Sequence, residues 1–112
     1  MAALPSCFSV HMKSCRVWAI SAAFVILPVQ ANQALAQKNA CLSCHALERK
    51  VVGPAFQEVA RRYAGKLEAP ALAQRIKSGG AGHWGVVAMP SQDRLSEADA
   101  QVLARWILSG AR

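Results

Sequence analysis

Five consecutive positions inside "ACLSCHAL", residues Ala40 to Leu47, hold Cys41, Cys44 and His45. Two thiols three positions apart, followed at once by an imidazole, constrain the fold more than any other feature of this chain. Each chemistry that uses such a group dictates its surroundings. A disulfide-exchange pair sits among alternating strands and helices, and a structural zinc site needs four ligands. Attachment of a c-type haem needs apolar helices around the porphyrin and a further ligand for its iron.

The N-terminal third sets the compartment. From Met1 to about Ala31 there is no acidic residue; Lys13 and Arg16 precede the apolar run "VWAISAAFVILPV" from Val17 to Val29. A basic start, a short apolar centre and a small-x-small site form a secretory signal peptide, and the centre falls short of the about 20 apolar residues that a membrane span requires. Val29-Gln30-Ala31 and Ala34-Leu35-Ala36 both fit the cleavage rule. The first is preferred, because cutting after Ala36 leaves only Gln37 to Ala40 ahead of Cys41. Met12, followed by Lys13, makes a more ordinary start than Met1. The expected organisation is a signal peptide over 1–31 and one domain over 32–112, with no stable membrane insertion after cleavage. A chain of 112 residues has room for one core.

Cys7 and Cys15 leave with the signal, so the exported chain keeps only Cys41 and Cys44, in an oxidising compartment. Zinc then lacks ligands: beyond Cys41, Cys44 and His45 the one nearby strong donor is His83, and adjacent Cys44 and His45 diverge on a helix. No alternation of strands and helices surrounds the pair, which disfavours disulfide exchange. Haem attachment fits what is left, since thiols on one helical face can add across two vinyl groups while the imidazole turns to the iron. Met89, the one methionine after residue 31, lies in the glycine-rich "GGAGHWGVVAMPSQ". It supplies a sixth ligand, although a methionine that merely fills the core is the plainer reading of that residue type. Histidine and methionine together raise the potential and suit electron carriage better than gas binding. His83 reads as a loop surface residue.

The other segments read as helices. "NQALAQKNACLSCH" sets Leu35 and Leu42 on one helical face. Phe56, Val59, Ala60 and Tyr63 recur at helical spacing between Gly53-Pro54 and Gly65, and Leu72 and Ile76 share a face between Pro70 and Gly79. The last helix is capped by Ser96, with Asp99 three positions on. Its stripe of Val102, Leu103, Trp106 and Ile107 ends before Gly110. No stretch alternates like a strand. The fold class expected is all-α, with about four short helices, and a core this small gains from a porphyrin's apolar mass.

In their order, "CLSCHAL", "VVGPAF", "LAQRIKSG", "GHWGVVAMP" and "EADAQVLARWIL" span Cys41 to Arg112. That series resembles the small bacterial class I monohaem cytochromes c that donate electrons to periplasmic nitrite reductase, cytochrome c peroxidase or terminal oxidases. The resemblance implies one covalently bound haem c with its iron, the first and last helices crossing, and a periplasmic monomer. It also implies thioethers at Cys41 and Cys44, with His45 and Met89 as axial ligands to the metal. Pro54 resembles the residue whose carbonyl orients the proximal histidine, and Arg75 and Trp84 resemble the donors to a propionate. For Arg75, a solvated helix charge is an equal reading.

The implied function is a one-electron carrier, not an enzyme, between a quinol-oxidising complex and a reductase or oxidase. The alternative is a haem subunit or small-ligand sensor in which Met89 detaches. It follows from a methionine loop in which Val86, Val87, Ala88 and Ser91 stand where relatives are richer in proline. The formal net charge of +7 is dispersed. In an exported chain this suits acidic patches on redox partners and not nucleic acid.

Overall fold

The computed structural model describes residues 29–112; Met12, Cys7, Cys15 and the expected signal peptide up to Pro28 lie outside the described residues. The chain forms α1 (Val29–Lys38), α2 (Phe56–Tyr63), α3 (Ala69–Ser78) and α4 (Glu97–Leu108), with a short 3-10 turn at Cys41–Ser43. Among the described residues there is no strand, and no helix is long and apolar enough to cross a membrane. The expected cleavage site after Ala31 falls inside α1.

α4 is the hub against which α1, α2 and α3 all pack. Ala100, Leu103, Ala104 and Ile107 repeat at helical spacing and are buried, as is Trp106. Ala36 in α1, Ala73 in α3, and Ala100 and Ala104 in α4 are fully buried. Such small side chains let helix backbones come close where they cross, and the remaining core is filled by Phe56, Val59, Leu72 and Ile76. The Ser96 Oγ accepts a 3.0 Å bond from the Asp99 amide, one of the first-turn donors that a helix cannot satisfy itself. On its far side, Gln74 Nε2 and Lys77 Nζ of α3 donate to the two Glu97 carboxylate oxygens, each at 2.7 Å, and tie α3 to the start of α4.

The helix expected through His45 is instead broken. α1 stops at Lys38, where the Asn39 side chain donates to Leu35 O at 2.9 Å, and Ala40 turns into the left-handed region at φ 59. The chain restarts as the 3-10 turn, in which Cys44 N and His45 N both donate to Cys41 O, at 3.2 and 3.0 Å. Leu35 and Leu42 nevertheless both pack on the core, because the break redirects the chain without turning that face away.

Candidate functional site

The segment after the 3-10 turn docks directly on α2. The amides of Phe56 and Gln57, orphaned at the start of α2, donate at 3.0 Å to Ala46 O and Leu47 O. Val52 N and Gly53 N both donate to Cys44 O, at 3.1 and 2.7 Å. These four bonds fold residues 44–57 into a loop that brings Gly53 and Pro54 back over His45. The His45 Nδ1 lies 2.8 Å from Pro54 O, and the ring stacks on Phe56 at 5.0 Å between centroids and 18° between planes. A carbonyl only accepts, so Nδ1 carries the proton and Nε2 keeps its lone pair for a metal.

The second functional segment hangs from the end of α3. Gly80 N donates to Met89 O at 2.9 Å and Met89 N to Gly80 O at 2.8 Å, an isolated antiparallel bridge that closes residues 80–89 into a loop. Gln92 N donates to Lys77 O at 2.8 Å just beyond it. The strand pattern was absent from the sequence because one bridge between a glycine and a methionine has no alternation to read. Arg62 of α2 reaches this loop: its Nη1 donates to His83 O at 2.6 Å, and its guanidinium lies 4.3 Å from the Trp84 ring centroid. Trp84 meets Tyr63 edge to face at 5.9 Å.

Both segments line one cleft of about 520 Å³, within the range usual for small-molecule and cofactor sites. Cys44, His45, Pro54, Arg75, Trp84 and Met89 are all in its lining, with Val59, Leu72 and Ile76 among the apolar remainder. Cys41 is outside the lining, half-buried against the core one turn before Cys44. Burial pushes its thiol up from the ordinary range, partly offset by a backbone hydrogen bond. Cys41 and Cys44 are not joined in a disulfide. Cys41 opens the 3-10 turn and Cys44 caps it, so one tight turn separates the two thiols. Arg75 is exposed, with its guanidinium 5.3 Å from the Tyr63 ring centroid. Among the described residues, neither the Arg75 guanidinium nor the Trp84 indole N–H has a hydrogen-bond partner, which leaves both donors for an acidic group of a ligand.

The residues fit a haem: an apolar cleft is lined by one thiol, an imidazole with Nε2 to offer and a thioether, and a second thiol lies one turn away at its edge. Arg62 was missed by sequence reasoning, since nothing in "QEVARRYAG" distinguishes it from Arg61. An all-α fold that joins a C-x-x-C-H turn, a glycine-rich methionine loop and an apolar cleft defines the class of small monohaem electron carriers.

Comparison with known proteins agrees. The family model described as cytochrome c matches residues 29–111. Cytochrome c-552 of Nitrosomonas europaea is 47% identical over 93 residues, which cover 82% of this chain and 90% of that protein. Cytochrome c-552 of Hydrogenobacter thermophilus is 50% identical over 80 residues, 70% of this chain and 81% of its own. The crystal structure of wild-type Nitrosomonas europaea cytochrome c552 matches with a TM-score of 0.67 at 48% identity, covering 70% of this chain and 98% of that one. The chain belongs to the cytochrome c family, and with that membership come electron transport and one covalently bound haem c with its iron.

Proposed function

We propose that the chain is a periplasmic one-electron carrier, exported by a signal over residues 1–31 and acting as a monomer from Asn32 to Arg112. Cys41 and Cys44 hold the haem by thioethers, and His45 and Met89 bind its iron. Pro54 orients His45 through its carbonyl, and Arg75 and Trp84 donate to a propionate. When bound, the haem supplies a one-electron iron couple; the chain supplies two fixed ligands and an apolar surround. Electrons come from a quinol-oxidising complex and go to a reductase, peroxidase or terminal oxidase.

One observation carries this reading over a ligand-binding one. Met89 is held through its own backbone, by the two bonds to Gly80, so its place in the cleft does not depend on the stiffness of Val86 to Ala88. A thioether on so anchored a backbone closes the sixth position against a diatomic ligand when it binds the iron. The reduced protein is therefore expected to bind no carbon monoxide at neutral pH, and its intact mass to exceed the chain from Asn32 by one haem. Ready uptake of carbon monoxide would replace the carrier with a sensor, and a haem-free mass would remove both.

A further inference from the structure

The chain has seven glycines, and a Cβ added to five of them would meet nothing that has to move. The other two are Gly53 and Gly79. On Gly53 a Cβ would overlap the His45 imidazole, closest to Cε1, with Nδ1 at 2.7 Å and Nε2 at 2.9 Å. On Gly79 it would overlap the main chain of the methionine loop, closest to Met89 O, with the Pro90 carbonyl carbon and oxygen at 2.7 and 2.8 Å. The two forbidden approaches thus fall on the His45 ring and on the Met89–Pro90 main chain, at the two residues proposed as iron ligands.

We infer that Gly53 and Gly79 are positioning residues, one for each axial ligand, and that the missing side chain in each case sets where that ligand stands. The inference rests on the assignment of His45 and Met89 as ligands. Backbone conformation does not explain Gly53, whose φ lies outside the left-handed region that favours glycine. Only the contact does. The imidazole, already committed to Pro54 O and stacked on Phe56, would have to give up part of that packing for an alanine at 53. Gly79 is constrained twice, by φ 65 and by neighbours that are backbone atoms and have no rotamer to retreat into. Its displacement would act on the Gly80 to Met89 bridge, one residue along.

The test uses haem-loaded protein and four variants. Met89→Ala defines the signature of a lost sulfur: disappearance of the weak red band that a thioether gives ferric haem, and carbon monoxide binding once reduced. Gly79→Ala is expected to show the same signature with its helical circular dichroism intact. Gly65→Ala, at φ 74 and with open space around it, also sets a side chain at a positive φ and is expected to keep the band. Gly53→Ala is expected to keep the band and to speed exchange of the His45 Nδ1 proton, seen by NMR; if it does not accumulate with haem, the Gly79 arm decides. A band retained in Gly79→Ala but lost in Met89→Ala overturns the inference and leaves the ligand assignment standing. A band lost in Gly65→Ala as well overturns it in favour of general strain. A band retained in Met89→Ala overturns the ligand assignment, and the role of Gly79 falls with it.

Discussion

His45 and Met89 line the same cleft but are held in different ways. On the histidine side, the functional ring itself is fixed: Pro54 O holds Nδ1, Phe56 stacks on the face, and Phe56 in turn meets Trp106 of α4 edge to face at 5.6 Å. On the methionine side the fixed part is main chain, through the bridge to Gly80. Farther along that loop, Val86 and Val87 are 97% and 64% exposed. One proposed ligand is therefore wired into the core and the other is hung from the end of a helix. If either yields, the methionine side yields first, because opening follows the region with fewer buried contacts.

The strongest way to break this asymmetry is through Phe56, which is buried at the centre of the histidine side. Phe56→Ala removes the stacking partner of His45 and the edge contact to Trp106, and a buried Phe→Ala change costs about 3–5 kcal/mol. A large fall in the thermal midpoint is expected, with the ferric sulfur band intact at temperatures below the transition. Loss of the band at low temperature, before any global unfolding, would show that the two sides are coupled and the contrast between them false.

How much of this was legible in the sequence divides along the same line. Periodicity exposed α2, α3 and α4, because each buries a face at helical spacing and carries its stop in Gly65, Gly79 or Gly110. The cysteines, His45 and Met89 were singled out by chemistry and counting. What stayed hidden depends on contacts between distant residues or on one residue's backbone angle. Ala40 at φ 59 breaks the first helix although alanine is the best helix former, so no local preference signals it. The Gly80 to Met89 bridge, the reach of Arg62 to the loop and the closeness of Gly53 to His45 join residues 8 to 21 positions apart, beyond the span of any local pattern.

Arg62 offers a smaller perturbation, aimed at the methionine side alone. Its bond to His83 O and its position over Trp84 latch the loop to α2, but the side chain is exposed, so Arg62→Ala is expected to cost only about 1 kcal/mol. That corresponds to roughly fivefold faster amide exchange, confined to residues 81–88, with no change around Phe56. Equal acceleration on both sides would mean that Arg62 supports the whole fold and does not latch one loop.

The smallest effect is expected at His83, and its smallness is informative. His83 is the one other histidine in the described residues; it lines the cleft and so is the one imidazole that could compete with Met89 for the iron. Yet its side chain is exposed, and its hydrogen bond to Arg62 uses the main-chain oxygen, which an alanine also has. His83→Ala therefore keeps the latch while deleting the rival ligand. Stability is expected to change by no more than about 0.5 kcal/mol, as for surface substitutions away from special features, and the ferric and ferrous spectra should match the parent. A visible spectrum that changes in His83→Ala would mean that this imidazole occupies the sixth position in part of the population. The backbone bridge at Met89 would then be insufficient to keep its sulfur on the iron, and the methionine side would be looser than its hydrogen bonds imply.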